Sequence, residues 1–408
     1  MSAPDAVAPP PGHPRFPLLD SLRAVAALGV LVSHAAYFSG AAEDAWYGPL
    51  VANGAAGVTV FFVLSGFLLY RPFLAADVDG APPVRVGDFA RRRVLRIVPA
   101  YWVALTALAI YPGLIGVFSG DWWQYYFLLQ VYGPDDTPVQ GLAAAWTLCI
   151  EVSFYASLPL YAYAMRRAGR RRDRRSRLRL ELVTLLALGT ASAIARAISL
   201  APGGSTLELT LVGTFGWFAL GMAMAVLSVG GAQLSFVSRH PAMCWAAAAA
   251  LYVFMCFLLR IPEGEPLRYT QSQWAVQHVL SAGVAVLLVL PAVFGHTEGG
   301  WPRRLMAWPV LAWLGLVSYG IYLWQGGVVL EAWRQGVREW VPSAPFVVMT
   351  LVTLVGTVVF AALSYYLVER PLMRWKHRGS SPRATPGTAA AGASARAPVP
   401  DSAPGSPR

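Results

Sequence analysis

The chain has 408 residues, of which 56% are hydrophobic and only 13% are charged. A soluble domain usually has about twice that charged fraction, so the composition excludes an ordinary soluble protein and indicates a protein with many membrane spans. The net charge of +11 comes almost entirely from arginine, because Lys376 is the only lysine. The positions of those arginines along the chain therefore indicate whether the positive charge serves membrane orientation or ligand binding.

Ten apolar segments are long enough to cross a bilayer, whose hydrocarbon core of ~30 Å needs about 20 helical residues. In chain order they are residues 18–38, 55–76, 97–117, 144–164, 180–200, 207–229, 242–259, 274–294, 308–330 and 345–368. The third is interrupted by Tyr111-Pro112-Gly113 and is followed by DWWQYYFLLQ, which we expect at the membrane interface. The sequence thus predicts an all-α fold, a polytopic integral membrane bundle of about ten transmembrane helices.

The two ends of the chain differ from the rest in composition. Residues 1–14 are proline-rich, and residues 379–408 consist mainly of Gly, Ser, Pro, Ala and scattered Arg. Neither end has enough apolar surface to fold alone, so we expect both to be disordered around one membrane domain, residues 15–378. No cleavable signal peptide is expected, because the first span lacks a small-residue cleavage site. The three cysteines lie in apolar segments without disulfide or metal-ligand spacing.

The distribution of arginine predicts the orientation in the membrane. Loops after even-numbered spans are basic, most clearly RRAGRRRDRRSRLR at residues 166–179. Loops after odd-numbered spans are acidic, except that the one after the ninth span is mixed. Both termini are therefore predicted to be cytoplasmic. The same pattern makes anionic lipid the expected partner of the arginine cluster and argues against nucleic acid. Richness in Ala, Gly, Pro and Arg, with one lysine, is typical of a GC-rich bacterial genome, so the predicted location is a bacterial plasma membrane.

An arginine and a histidine stand at the two ends of RAVAALGVLVSH in the first span. Arg23 and His34 are 11 residues apart, about 20° beyond three full helical turns, so they share one helix face at a separation of ~16 Å. Ionisable groups in a span cost at least ~2.5–3.5 kcal/mol near its centre, which makes both residues functional candidates. The structural alternative is an arginine that snorkels to the cytoplasmic edge and a histidine bonded to a backbone carbonyl.

A carboxylate lies in WTLCIEVSFY of the fourth span. Glu151 is about seven residues from the predicted outer end, which corresponds to the depth predicted for His34. At equal depth the two side chains can hydrogen-bond, which would orient the imidazole and raise its basicity. A structural ion pair between Glu151 and an arginine is the alternative.

Two further segments suit a ligand. Arg93 and Arg96 share a helix face at the start of the third span, and clustered guanidinium groups suit a polyanion such as nucleotide phosphates. Additional positive-inside charge is the alternative reading of these arginines. Ser65 and Gly66 in FFVLSGFLLYRPF permit close approach of two helices, or leave room for a thin ligand.

Together these segments resemble the membrane acyltransferase 3 family. The matching features, in order between residue 15 and about residue 375, are Arg23 with His34, FFVLSGFLLYRPF, the R-x-x-R of Arg93 and Arg96, WTLCIEVSFY, LVSYGIYLWQ and YYLVERPL. The resemblance implies transfer of an acyl group, often acetyl, from cytosolic acyl-CoA to a hydroxyl of an acceptor. Acceptors in the family include glycans, glycolipids and macrolide-type antibiotics.

The resemblance also implies roles for individual residues. His34 would be the general base or an acyl carrier, with Arg23 and Glu151 in support. The residues predicted to bind acyl-CoA, with acetyl-CoA the expected co-substrate, are Arg93, Arg96, Ser65 and Gly66. Further motif positions, predicted to contact the acceptor, are occupied by Trp146, Ser318, Tyr319 and Gln325. No metal is expected.

One position departs from the family pattern. Many members have a histidine where this chain has Gln325, and glutamine cannot take a proton. The role of base then falls on His34, with His278 as a second candidate. The alternative function is a polytopic transporter or flippase, a class that also buries His, Glu and Arg. Such proteins often contain inverted repeats, and no repeat is evident in this sequence.

Overall fold

A computed structural model describes residues 16, 18–80, 82–133, 140–199, 206–259, 270–294 and 300–375. Within these ranges the chain forms α-helices, short 3₁₀ helices and two π-helical turns, and no β-strand. The segments predicted to be disordered, 1–14 and 379–408, lie outside the described residues.

The long helices follow the predicted spans. They are α1 (Leu18–Ser39), α2 (Ala56–Val78), α3 (Val86–Leu108), α4 (Trp146–Gly169), α5 (Arg174–Ser199), α6 (Leu211–Val229), α7 (Pro241–Leu258), α8 (Gln271–Val293), α9 (Pro309–Leu316), α10 (Ser318–Arg334) and α11 (Pro345–Ser364). Nine helical segments of the described chain are long and apolar enough to cross a membrane, and the bent pair α9–α10 makes a tenth. The predicted all-α membrane bundle is confirmed. The cytoplasmic location of both termini stays a prediction.

Several helices begin where the sequence supplies a start signal. The side chain of Thr270 accepts a hydrogen bond from the Gln273 backbone, and Gln273 Oε1 accepts one from the Thr270 backbone, which forms a capping box before α8. The helices α7, α9 and α11 each have proline at their first residue, where its missing N–H leaves no helical bond unmade. Local sequence thus determines where these helices begin.

The ninth predicted span differs most from the prediction. Residues 308–330 were expected to form one helix, but the helix breaks at Val317 and its two parts meet at 71°. A Cβ atom on Gly315 would lie 1.9 Å from the carbonyl oxygen of Asp20, so the backbone of α9 touches that of α1. Both α9 and α10 pack against α1, and the bend makes this double contact possible.

The third span also differs from its predicted limits. Helix α3 begins at Val86 rather than at residue 97, so the Arg91–Arg96 segment belongs to the helix itself. The predicted interruption is present, because Tyr111 has a non-helical backbone (φ −151°, ψ 127°). The predicted interfacial stretch contains a short helix, Trp122–Tyr126, whose two tryptophan side chains are exposed.

Helices α1 and α2 run antiparallel in close contact. A Cβ atom on Gly57 would lie 2.3 Å from the carbonyl oxygen of Ala26, and one on Gly54, just before α2, would lie 2.0 Å from that of Gly29. Small residues allow such close approach of helix backbones in membrane proteins. These two contacts define the relative level of α1 and α2 along the bundle.

Helix α6 packs on the other side of α2. A Cβ atom on Gly66 would lie 2.2 Å from the carbonyl oxygen of Phe218, and one on Gly221 would lie 1.9 Å from that of Val63. The ring of Phe218 stacks on Phe154 of α4 with a centroid distance of 4.1 Å. Helices α2, α4 and α6 therefore form one packed core.

Candidate active site

A cavity of about 360 Å³ lies among α1, α2, α3, α4 and α10. This size lies within the range of small-molecule sites, roughly 300–1,000 Å³. Its polar wall consists of Arg23, Ser65, Arg93, Arg96, Thr147, Glu151, Tyr155, Ser318, Tyr319 and Tyr322. The remaining wall is apolar. Of the residues selected from the sequence, the cavity brings together Arg23, Ser65, Arg93, Arg96, Glu151, Ser318 and Tyr319.

Glu151 is held by two hydroxyl groups. Its Oε1 accepts a hydrogen bond from Ser65 Oγ at 2.8 Å, and its Oε2 accepts one from Tyr155 OH at 3.0 Å. In the described part of the chain no arginine nitrogen lies within 4 Å of this carboxylate. Neither the expected bond to His34 nor the alternative ion pair is present, and Ser65 and Tyr155 satisfy the buried oxygens instead.

His34 contacts another helix. Its Nδ1 lies 3.2 Å from Oε1 of Gln325 on α10. The Gln325 side chain is fully buried, and His34 is half-buried. Neither residue lines the cavity that contains Glu151.

The register of α1 against α2 offsets His34 from Ser65, the partner of Glu151. Ala26 of α1 contacts Gly57 of α2, and the two helices run antiparallel. His34 lies eight residues after Ala26, and Ser65 lies eight residues after Gly57, in the opposite direction. At 1.5 Å per residue the Cα atoms of His34 and Ser65 are therefore offset by roughly 24 Å along this helix pair. His34 bonds Gln325 and Glu151 bonds Ser65, so the hydrogen bond predicted between them is not formed.

Arg23 lies inside the bundle rather than at its edge. By the same register Arg23 is level with Val60, and α2 continues inward from there to Val78. The side chain is 21% exposed, and its Nη1 pairs with Asp20 Oδ1 at 2.9 Å. The Arg23 side chain therefore lines the cavity and pairs with Asp20.

Arg93 and Arg96 bring positive charge to the same cavity as Arg23. The guanidinium of Arg93 lies over the Phe89 ring, 5.9 Å from its centroid. Within the described ranges neither Arg93 nor Arg96 forms a side-chain hydrogen bond or an ion pair. Two guanidinium groups without a protein anion are suited to an anionic ligand. No group of three or more His, Cys, Asp or Glu that would hold a metal occurs among the described residues.

Several selected residues do not line the cavity. Gly66 faces the backbone of α6, so its role is close helix packing. Trp146 is the first residue of α4 and is half-buried beside the cavity-lining Thr147. The ring of His278 stacks on Trp217 at 4.1 Å and does not line the cavity.

Three polar residues of the cavity wall were missed in the sequence. Thr147 and Tyr155 precede and follow Glu151 by four residues, and this helical spacing places all three side chains on one face. This spacing in the sequence could therefore have identified Thr147 and Tyr155. Tyr322 of α10 joins them through a hydrogen bond of 2.9 Å to Thr147, and only the packing of α10 against α4 shows it.

Comparison with known proteins identifies relatives over nearly the whole described chain. The sequence model of a family described as an acyltransferase domain matches residues 16–366. YrhL of Bacillus subtilis, whose name assigns it provisionally to the peptidoglycan O-acetyltransferases, is 26% identical over 405 residues, which cover 91% of this chain and 57% of YrhL. The peptidoglycan O-acetyltransferase OatA of Listeria monocytogenes is 24% identical over 377 residues, 88% of this chain and 56% of OatA. The chain thus spans little more than half of these relatives, and no solved structure matches it.

Proposed function

Because this chain belongs to the acyltransferase 3 family, we propose that it is a membrane O-acyltransferase that moves an acyl group from acyl-CoA to a hydroxyl group. It is a multi-pass bacterial membrane protein. The acyl group we propose is acetyl, since the names of the relatives refer to O-acetyl transfer.

The observation that supports an acyl-CoA donor most directly is the arginine cluster in the cavity. CoA carries a pyrophosphate and a ribose phosphate, and guanidinium groups bind such oxygens with two parallel hydrogen bonds. Arg93 and Arg96 have no ion pair with the described residues and face the cavity together with Arg23. We therefore assign the phosphates to these arginines and the thin pantetheine arm to the apolar part of the cavity.

The reaction needs a base for the attacking hydroxyl. In the proposed step His34 takes the hydroxyl proton, the oxygen forms a bond to the thioester carbon, and the carbon–sulfur bond breaks. The proton then passes to the CoA thiolate, which leaves as the free thiol. General base catalysis of this kind contributes roughly 10²–10⁴-fold. Because His34 lies three helical turns beyond Arg23 on α1, we place the donor arm on the path from the arginines toward His34 and the acceptor on the far side of His34. A relay through an acyl group on His34 uses the same layout.

The names of the relatives guide the choice of acceptor. Two of them refer to peptidoglycan, so we propose a glycan hydroxyl as the acceptor. Glycolipids and macrolide-type compounds are the other acceptor classes to supply in the same assay.

The test uses the full chain in lipid nanodiscs with acetyl-CoA and each acceptor class, and follows release of free thiol. His34→Ala is expected to abolish turnover while the protein still binds the donor. Arg93→Ala is expected to raise KM for acetyl-CoA roughly tenfold or more, because charged hydrogen bonds are lost. Arg92→Ala is the matched control, since Arg92 lies on the same helix outside the cavity wall.

Two outcomes would contradict this function. One is the absence of donor consumption with every acceptor class, and the other is a His34→Ala protein that behaves like the parent. Either would favour the transporter or flippase, which should not turn over acyl-CoA when no gradient is present.

A further inference from the structure

The His34–Gln325 pair is a contact between two helices, α1 and α10, whose sequence positions are 291 residues apart. The amide oxygen of Gln325 faces Nδ1 of the ring at 3.2 Å. In the described part of the chain this is the only hydrogen bond of the His34 ring. The fully buried glutamine side chain holds the ring from one side.

The chemistry of the two groups determines where the proton lies. An amide oxygen has lone pairs and no hydrogen, so it can only accept. A hydrogen bond from the ring to this oxygen therefore requires the tautomer with its hydrogen on Nδ1. In the neutral imidazole the other nitrogen, Nε2, is left with its lone pair.

We propose that Gln325 is a positioning residue that keeps His34 in the Nδ1–H tautomer and thereby makes Nε2 the atom that takes the proton from the acceptor hydroxyl. This inference rests on the proposed acyl transfer. Glutamine suits the task because it accepts the hydrogen bond without binding a proton itself and adds no charge to the bundle. In the His34–Gln325 pair only the imidazole can accept a proton, and it does so at Nε2.

The first test separates this role from a structural one by kinetics. Gln325→Leu removes the acceptor oxygen, and we expect kcat to fall roughly 10- to 100-fold while KM for acetyl-CoA stays within about twofold. Gln325→Glu keeps an acceptor oxygen at the same reach and should retain most of kcat. Gln335→Leu, on the exposed end of the same helix, is the control and should change neither constant.

The second test measures the tautomer directly and does not depend on turnover. The full chain labelled with ¹⁵N-histidine has six histidines, and His34→Ala identifies the resonances of His34. The expected spectrum shows a protonated Nδ1 and a bare Nε2, and Gln325→Leu should produce a mixture of tautomers. A protonated Nε2 in the parent, no change in Gln325→Leu, or a Gln325→Leu protein with parental kcat would overturn the proposal.

The two tests also distinguish this inference from the proposed function. If the parent shows no turnover with any acceptor, acyl transfer and the catalytic role of Gln325 both fail. The spectrum then still decides whether the hydrogen bond sets the tautomer.

A different observation concerns a second cavity, of about 430 Å³, at the predicted cytoplasmic ends of α2 and α4. Its wall consists of Asp77, Tyr163, Arg166, Arg167, Arg170 and Arg177. Asp77 binds Arg177 at 3.3 Å and Arg166 at 3.5 Å, and Arg177 also donates to the Asp77 carbonyl at 2.9 Å. These contacts build one wall of the cavity from three helices.

The charge of this second cavity is strongly positive. Four arginines and one aspartate give a net charge of +3, from +4 and −1. Within the described residues the side chains of Arg167 and Arg170 form no ion pair. The helix α4 ends at Gly169, so we expect these side chains at the depth of lipid headgroups. We propose that the cavity binds the phosphate of an anionic phospholipid headgroup.

The test compares phosphatidylglycerol with phosphatidylcholine on the full chain by native mass spectrometry. We expect retained phosphatidylglycerol in the parent and at least a fivefold loss in the Arg167→Ala/Arg170→Ala double variant. The control is Arg171→Ala/Arg175→Ala, since both arginines are exposed in the same basic segment but outside the cavity wall. Equal retention of both lipids, or equal loss in both double variants, would overturn the proposal. Displacement of the lipid by inorganic phosphate at equal concentration would identify a free anion as the ligand instead.

Discussion

At the scale of single residues, Glu151 shows how this bundle accommodates a buried carboxylate. Ser65 and Tyr155 each donate one hydrogen bond to it. The three arginines of the same cavity remain beyond 4 Å of it in the described structure. Arg23 pairs with Asp20, and the donors of Arg93 and Arg96 are available to a ligand. The hydroxyl groups thus keep the carboxylate and the guanidinium groups apart within one cavity.

Tyr155→Phe tests this arrangement, because it removes one donor to Glu151 and keeps the ring. Loss of a hydrogen bond to a charged group costs about 1.5–3 kcal/mol, so kcat/KM for acetyl-CoA should fall roughly 10- to 100-fold. Tyr163→Phe on the same helix is the control, since Tyr163 is exposed and makes no contact with Glu151. Equal turnover in the two variants would show that Glu151 does not need Tyr155.

At the scale of helices, glycine determines which pairs meet closely. Gly66 and Gly221 bring α2 and α6 together, and Gly54 and Gly57 do the same for the contact with α1. The contact with α1 sets the axial position of His34 relative to Ser65, the partner of Glu151. Helix register, rather than distance from a predicted span end, thus decides which ionisable groups meet.

Gly66→Ala is expected to destabilise the α2–α6 contact. The added Cβ atom would lie 2.2 Å from the carbonyl oxygen of Phe218, so the two helices must separate. We expect the midpoint of thermal unfolding in detergent to fall by several degrees, since overpacking costs about 1–3 kcal/mol. Gly326→Ala is the matched control, because no atom lies within 4 Å of its added Cβ. A Gly66→Ala protein as stable as Gly326→Ala would refute the packing role.

At the scale of the whole molecule, the bent pair α9–α10 decides the topology. If the pair crosses the membrane as one span, the bundle has ten spans and both termini lie on one side. If it does not cross, the chain after α10 is inverted relative to the prediction from charge.

Cysteine labelling in intact bacterial cells measures this topology. A membrane-impermeant maleimide should label Ser119→Cys and Ser343→Cys from outside, and Arg175→Cys only after lysis. All three positions are exposed, and the native cysteines are buried, which keeps the background low. Labelling of Arg175→Cys in intact cells would reverse the predicted orientation. Protection of Ser343→Cys alone would show that the bent pair does not cross.

The sequence by itself determined the fold class and the family of this protein. Apolar segments of spanning length and the starts of helices such as α8 are local properties, so the chain predicts them without knowledge of its neighbours. The family was also recognisable from the sequence, because its motifs are short stretches of residues that occur in order along the chain. Arg93, Arg96 and Glu151 were selected in this way and do line one cavity.

Only the tertiary structure decided which of these residues meet. The partner of His34 is Gln325 and the partner of Glu151 is Ser65, across helix contacts that span 291 and 86 residues of sequence. The sequence shows the glutamine but not the contact. The physical reason is that close backbone contacts, here between Gly57 and Ala26, set the axial position of one helix relative to its neighbour. The hydropathy of a segment does not depend on that position.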